Sequence, residues 1–309
     1  MPTKFSNKSV GCVIVTYNPN IVTLTNQLDS LHSQVESIFV IDNDSSNAKE
    51  IQHLVSSVDA AEILCCNKNY GLGHAHNLGI QSCREARREA VLLLDQDTIP
   101  NDDMVSRLLV ALNKLNAKSQ KTAAVGARYI GNAGQLSFFV QFSRFRFQKN
   151  YCSHSQSIDL VPADMLISSG SLIPMSALDI IGDMDETLFI DHIDTEWFLR
   201  AKSRDWHSYG VCNAIMQHSL GEDSLRLWWG RWRYLPIHLP FRYYFIYRNS
   251  ITLHRRSYVD PNWRRADIIR LMLMAIILPL FSKHRIECLQ MIFRGIRHGV
   301  NGKSGPLLH

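Results

Sequence analysis

Several things are missing from this 309-residue sequence, and each absence excludes a class. No run reaches the roughly 20 apolar residues of a membrane span. The most apolar segment, Leu271 to Phe281, is about half that length and contains Pro279. The seven cysteines form no CxxC pair. That predicts reduced thiols, with neither a zinc site nor a disulfide framework. There is no low-complexity segment and no repeat of solenoid length. The amino terminus runs straight into a strand-like stretch, which predicts no secretory signal. The familiar phosphate loops are missing too. GLGHAHNLG places Gly71, Gly73 and Gly79 at spacings that match neither GxGxxG nor GxxxxGK[ST], and it follows the third strand instead of the first. A dinucleotide-dependent dehydrogenase and a Walker-type ATPase are thereby disfavoured. The DxDxT/V loop of haloacid-dehalogenase-like phosphatases fails as well, because Ile99 stands two residues past Asp97.

What is present is an alternation of strand and helix patterns. Ser9 to Thr16, Ser37 to Ile41, Glu62 to Cys66 and Ala90 to Leu94 read as strands, with helical spacing between them, as in Ile21, Leu24, Leu28 and Leu31. Such alternation predicts a parallel sheet with right-handed crossovers, so the carboxyl ends of the strands share one edge. Ligands bind at that edge in open α/β sheets. Four polar segments meet there: Thr16, Tyr17 and Asn18; Asp42 to Asp44; Asn67 to Gly73; and Asp95, Gln96 and Asp97. Side chains two apart on an extended segment point the same way, so Asp95 and Asp97 present two carboxylates to one spot. Paired oxygen ligands suit Mg²⁺ or Mn²⁺, and such a cation suits a diphosphate.

Farther on, Asn101 is expected to cap a helix carrying Asp102 and Asp103 in its first turn. Thr122 to Ile130, Gln135 to Phe147 and Ser208 to Gln217 read as strands, the last ending in His218. In GDMDETLFIDHIDTEWFLR, Asp191, Asp194 and Glu196 lie just before or within an amphipathic helix that includes Trp197. A carboxylate there can serve as a general base, or merely as a helix cap. From Arg226 onward, 15 Lys and Arg face three acids, whereas residues 1–225 carry 18 against 25. The basic tail holds Trp228, Trp229, Trp232 and Trp263 around the short apolar run, as a helix lying in an anionic membrane interface would. A helical subdomain packed on the core is the competing reading.

With these residues laid out, the chain resembles the inverting glycosyltransferases of family 2, of the GT-A fold, and among them the bacterial rhamnosyltransferases. The resemblance rests on VIVTYN, VIDNDSS, NYGLGHAHNLG, LLLDQDT, GDMDETLFIDHIDTEWFLRA, QHSLGE and RYYFIYRNS, in that order along most of residues 9–250. It implies an α/β fold with a mostly parallel central sheet flanked by helices, and a C-terminal helical extension. Residues 1–225 would be the catalytic domain, divided into a nucleotide-sugar half (1–100) and an acceptor half (101–225), with residues 226–309 membrane-associated. Tyr17 and Asp42 would sit at the nucleobase, with Thr16, Asn18 and Gln96 beside them. Asn69, Gly71, Asn77 and Gly79 would wall the ribose and sugar, with Asp95 close by. Asp97 and His218 would hold Mg²⁺ or Mn²⁺. Asp194 would be the base, although Ile193 replaces the usual Glu and keeps Asp191 and Glu196 in play. Gly170, Trp197 and Arg200 would lie on the acceptor side. The implied partners are a dTDP-L-rhamnose donor, a lipid-linked saccharide acceptor and the anionic inner face of the plasma membrane, with the oligomeric state left open. Another dTDP- or UDP-sugar donor fits the same residues. A sugar-1-phosphate nucleotidyltransferase would need a GxGTR-like loop where Thr16-Tyr17-Asn18-Pro19 stands. A non-enzymatic binding protein leaves the four polar strand ends unexplained, and no nucleic-acid partner is expected.

Overall fold

Strands rich in Val, Ile and Leu build the first half of the computed structural model, which describes residues 4–130, 138–152, 160–218, 224–228, 232–236 and 238–307, with 218, 224–228 and 232–236 described by their backbone. The order is β1 Val10–Thr16, α1 Ile21–Leu31, β2 Ser37–Asp42, α2 Ala48–Ser56, β3 Ala61–Cys65, α3 Leu72–Glu85 and β4 Ala90–Asp95. These strands pair in parallel in the order β3-β2-β1-β4, Val13 lying opposite both Phe39 and Leu93. Successive side chains alternate between two cores. Cys12, Ile14, Leu92 and Leu94 pack with Leu24 and Leu28 of α1 on one face. Val13, Val91 and Leu93 pack with Ala75 and Ile80 of α3 on the other. Burial on both faces is why β1 and β4 read as unbroken apolar runs.

The second half comprises β5 Thr98–Pro100, α4 Met104–Asn116, β6 Thr122–Ile130, β7 Phe138–Ser143, β8 Arg146–Tyr151, β9 Leu160–Ala163, β10 Ser171–Pro174, α5 Met175–Ile181, α6 Ile193–Ser203 and β11 His207–His218. It extends the sheet as β4-β10-β6-β11-β5, with β9 also on β11. Strand β10 runs antiparallel to β4 and β6, so the sheet is mixed beyond β4. Three local expectations change. The strand foreseen over Gln135 to Phe147 is a hairpin, β7–β8, paired from Phe138↔Tyr151 to Ser143↔Arg146, and residues 135–137 lie outside the described residues. Helix α4 starts at Met104 with Asp103 as its N-cap, so Asn101 and both acids precede it. Cys152 and Cys212 are joined in a disulfide with Cα atoms 5.6 Å apart, against the expectation of reduced thiols. A pairing across 60 residues carries no local spacing signal.

The chain ends in a hairpin, β12 Ser224–Trp228 with β13 Trp232–Pro236, and three helices, α7 Pro240–His254, α8 Pro261–Phe281 and α9 Arg285–Val300. Tyr243, Ile246 and Tyr247 of α7, Leu271 and Leu278 of α8, and Cys288 and Ile292 of α9 share a small core. Helix α9 crosses α7 closely because Gly295 and Gly299 lack a Cβ. One placed there would stand 2.5 Å from the Tyr244 carbonyl oxygen and 2.9 Å from that of Arg248. Across the boundary expected at 225 and 226, Leu253, Val259 and Trp263 are buried with Leu199 of α6 and Phe142 of β7. Trp263, foreseen as an interfacial aromatic, is therefore a core residue, edge-on to His192 and His254. Trp228 and Trp232 are placed by backbone alone, and Trp229 lies outside the described residues.

Candidate active site

A cavity of about 580 Å³ opens where β1, β2, β3 and β4 end. The strand ends contribute Tyr17, Asn43, Asn69, Gly71, Asp95, Gln96 and Asp97; the rest of the wall is Tyr129, Ile167 and Ser168, the segment from Phe189 to Asp194, and Arg242 of α7. Parallel strands joined by crossovers of one hand have no other way to place their carboxyl ends.

Side chains lace these loops to one another. Gln96 accepts from the Tyr17 N–H at 2.7 Å and donates to the Tyr17 carbonyl at 3.3 Å. Asn43 donates to Asn69 at 3.0 Å and accepts from the Tyr70 N–H at 3.0 Å. Asn18 accepts from the N–H and hydroxyl of Ser46, both at 2.8 Å. The Asp95 peptide is held from both sides, its N–H donating to Ser169 Oγ at 3.1 Å and its carbonyl accepting from Gln27 at 2.8 Å. Asp42, expected at the nucleobase, is buried instead and does not line the cavity. Its oxygens accept from the Thr16 hydroxyl at 2.9 Å and the Ser45 N–H at 3.0 Å. A carboxylate at the end of a buried strand must satisfy its lone pairs locally, and its neighbour Asn43 reaches the cavity in its place.

The wall from Phe189 to Asp194 is strained and clamped. Phe189, Asp191 and His192 have φ of 65°, 62° and 63°, in the left-handed region that side chains disfavour. Each such residue costs on the order of 1–3 kcal/mol and persists only where its surroundings over-determine it. Here Asn249, fully buried on α7, donates through its amide to the carbonyls of Leu188 at 3.0 Å, Ile190 at 2.8 Å and Asp191 at 2.9 Å. Arg248 adds a bond to the Leu188 carbonyl at 2.7 Å. From the other side, the Leu72 N–H donates to the Phe189 carbonyl at 2.6 Å. That approach requires Gly71, where a Cβ would lie 2.5 Å from the Phe189 carbonyl oxygen and φ is +92°.

The loop delivers two carboxylates. Burial raises the pKa of Asp194 above the ordinary value, and the charge of Asp191 adds to this, while N–H groups of Thr195 and Ser168 partly offset it. Asp191 is itself paired with Arg242 at 2.6 Å. His192 is driven down to about 4, by burial first and then by Arg270, whose guanidinium stands 3.2 Å from Nε2. It is therefore neutral at neutral pH.

Other residues singled out from the sequence lie elsewhere. Glu196 is 1% exposed and bonded to Arg200, Arg256 and Tyr258, so it is a buried ion-pair partner and not a base facing the cavity. Arg200 also donates to the carbonyls of Ile181 at 2.8 Å and Asp183 at 2.7 Å, and buried Trp197 donates to that of Gly182 at 2.8 Å. Asn77 closes on the backbone of Met184, at 2.8 and 3.0 Å. Gly79 lies against Val13, whose Cγ1 would be 2.2 Å from an added Cβ. Gly170, at φ +79°, donates to the Leu93 carbonyl at 2.8 Å. None of these lines the cavity, since each spends its bonding or packing capacity inside the fold. The backbone of His218 pairs opposite Thr98, one residue past Asp97, and its side chain lies outside the described residues. The residues that sequence reasoning passed over are Asn43, Tyr129, Arg242, Arg248 and Asn249. The last two carried a signal, a charge and an amide inside the aromatic helix RYYFIYRNS, where burial demands partners.

The charge balance of the cavity bears on a metal. Asp95, Asp97, Asp191 and Asp194 line it, and among the described residues the one Lys or Arg side chain there is Arg242, already paired. A diphosphate entering such a site needs a cation to accompany it. Among the described residues no group of three or more His, Cys, Asp or Glu forms a ready-made metal site.

A parallel-sheet rim carrying Asp-x-Asp, facing a clamped acidic loop across one cavity, fits a glycosyltransferase of the GT-A fold, and the comparisons with known proteins place the chain there. The chain belongs to glycosyltransferase family 2, whose model, "Glycosyl transferase family 2", matches residues 12–179. The dTDP-rhamnosyl transferase RfbF of Shigella flexneri is 24% identical over 299 residues, 97% of this chain and 98% of that one. Among solved structures, GalNAc-T7 with UDP, GalNAc and Mn²⁺ matches at TM-score 0.56 and 13% identity, covering 84% of this chain and 54% of that one. TarS 1–349 of S. aureus with UDP-GlcNAc matches at TM-score 0.55 and 13% identity, covering 95% and 92%. These structural likenesses concern the fold.

Two outcomes follow from the clamped loop. Asn249→Ala leaves buried carbonyls unsatisfied, which should cost about 2 kcal/mol or more in urea unfolding and lower kcat on the order of 100-fold, with a much smaller change in donor Kd. Where Asp194 accepts a proton it must be ionised, so kcat should fall as pH drops through a midpoint above 3.8. Asp191→Asn removes a charge that raises this midpoint, so a pH–rate profile of that variant should shift to lower pH.

Proposed function

We propose that the protein is an inverting rhamnosyltransferase that moves L-rhamnose from dTDP-β-L-rhamnose to a hydroxyl of a lipid-linked saccharide at the cytoplasmic face of the plasma membrane, in surface-polysaccharide assembly. The observation that carries the reading is that Asp97, in the turn just past β4, and Asp194, in the first turn of α6 directly after the clamped loop, line the same cavity. The near full-length likeness to RfbF supports the donor. The order of the seven sequence motifs supports the family's inverting chemistry.

Tyr17, half exposed at the rim, offers its ring face to a pyrimidine base. Asn69 and the backbone of Gly71 line the ribose side of the cavity, Asn69 held by Asn43 and Gly71 by its close packing on Phe189. Asp194 takes the proton from the acceptor hydroxyl as that oxygen attacks the anomeric carbon from the face opposite the leaving group, and the raised pKa brings the base nearer to neutral pH. Attack from that face inverts the configuration, so the product is an α-L-rhamnoside. Arg242, held by Asp191, contributes fixed positive charge beside the departing dTDP. Mg²⁺ or Mn²⁺, held by Asp97 with Asp95 and His218 nearby along the chain fold, would supply the remaining charge neutralisation when bound. Buried Asp42 shapes the nucleobase end indirectly, by fixing the turn that carries Asn43.

The test is transfer from dTDP-L-rhamnose with donor binding measured in parallel. Asp97→Ala should abolish transfer, and near-normal turnover with added Mg²⁺ or Mn²⁺ would remove the metal role. Asp194→Asn should bind donor as the native protein does and turn over at least about 100-fold more slowly. If Asp191→Asn has that effect instead, the base lies three residues earlier.

A further inference from the structure

The three C-terminal helices share a small core, yet two of them also carry apolar stripes that face outward. On α8, Leu271 and Leu278 point inward, while Ile268, Met272, Ile276 and Leu280 recur every fourth residue on the exposed side, joined by Ile269 and Leu273. On α9, Cys288, Ile292, Gly295 and Gly299 are buried, and Ile286, Leu289, Phe293, Ile296 and Val300 form the exposed stripe. Met272, Ile276, Leu280, Ile286 and Phe293 are each 61–70% exposed. Apolar side chains this open, in register on two adjoining helices, are a docking face and not scattered surface residues.

Charge decides what docks there. The turn between the helices presents Lys283 and Arg285 to solvent, and Arg265 and Arg297 are exposed on the helices themselves. Of the two acids in α8 and α9, Asp267 is buried between Arg270 and His254, and Glu287 pairs with His284. A second copy of this chain would bring like charges together on such a face, whereas an anionic lipid surface complements it. A spanning arrangement is excluded for the described helices, none of which is long and apolar enough to cross a membrane.

We infer that the outer face of α8 and α9 lies in the interface of an anionic bilayer, its apolar stripes among the upper acyl chains and its arginines and lysines at the headgroups. Helix α9 is locked to α7 by the close crossing at Gly295 and Gly299 and by the Tyr244 hydroxyl paired with His298 at 2.9 Å, and α8 by the Tyr247 hydroxyl donating to the Leu271 carbonyl at 2.6 Å. Helix α7 in turn carries Arg242 to the cavity and Asn249 to the loop that walls it. The face is therefore held in a fixed relation to the site, and membrane docking orients the cavity toward an acceptor anchored in that membrane. The docking itself stands on this face alone and does not need the donor assignment.

The experiment uses the full chain without donor, sedimented with vesicles of phosphatidylcholine alone or of equimolar phosphatidylcholine and phosphatidylglycerol. The protein should sediment with the anionic vesicles and be released by salt. Replacing Ile276, Leu280 and Phe293 together by Ser should lower partitioning at least about tenfold, with the thermal midpoint kept or raised. Lys283→Glu with Arg285→Glu should weaken binding to the anionic vesicles alone. The inference is overturned if the native protein stays in the supernatant with both vesicles at low salt, or if the serine variant sediments as the native protein does. It is equally overturned if the native protein elutes as a dimer that the serine variant converts to monomer while vesicle binding is unchanged. A chain that binds sugar nucleotide but no vesicle loses this face and keeps its proposed reaction; the reverse outcome loses the reaction and keeps the face.

Discussion

One buried amide, that of Asn249, shares its two protons among three carbonyls of a loop that would not hold its shape unaided. Three residues of that loop sit in left-handed backbone, a strain the C-terminal helix has to offset. Much else depends on this bond set. It fixes the loop carrying Asp191 and Asp194, sets the wall opposite the Asp-x-Asp strand end, and makes the C-terminal helices part of the site. Gly71 completes the clamp from the nucleotide half, since only a residue without a side chain admits the Phe189 carbonyl so closely.

Electrostatics then follows from topology. The parallel sheet gathers acidic and amide strand ends at one rim, and the clamped loop brings further carboxylates to the same cavity. Such a concentration of negative charge is unfavourable alone and favourable once a cation and a diphosphate enter together. Arg242 tempers it by pairing with Asp191. Burial of Asp194 does the opposite for that group and makes it a better proton acceptor near neutrality. Asp191 is thus ion-paired with Arg242, while Asp194 is buried with a raised pKa.

The succession of the first strands and their shared rim are legible in the sequence because a two-face-buried strand writes a continuous apolar run and its end is marked by the first polar residue, whereas the spatial order of the strands is not. The DQD segment is placed that way, whereas NYGLG follows β3, a partly exposed edge strand. Depth was not legible: Asp42, Asn77, Gly79, Glu196, Trp197 and Arg200 look like site residues in a linear motif, yet their side chains turn into the fold to satisfy backbone groups or packing. Long-range pairings were equally hidden, as Cys152 with Cys212 and Asn249 with the loop at 188–191 show. The basic tail from Arg226 reads as helical in the sequence, but it opens with the β12–β13 hairpin and is helical only from Pro240 onward. Whether it packs or faces outward was posed as a choice, and the helices have an inner stripe that packs and an outer one that stays exposed.

In the proposed reaction a nucleoside-diphosphate sugar and a divalent cation occupy the cavity at the carboxyl rim together. Thermal unfolding of the full chain with a panel of sugar nucleotides, with and without Mg²⁺, tests it most directly, because a ligand that binds the folded state alone raises its stability by mass action. The expected result is a rise of a few degrees with dTDP-L-rhamnose that requires Mg²⁺ and is lost in Asp97→Ala. A midpoint unmoved by every sugar nucleotide, with or without the cation, would contradict it.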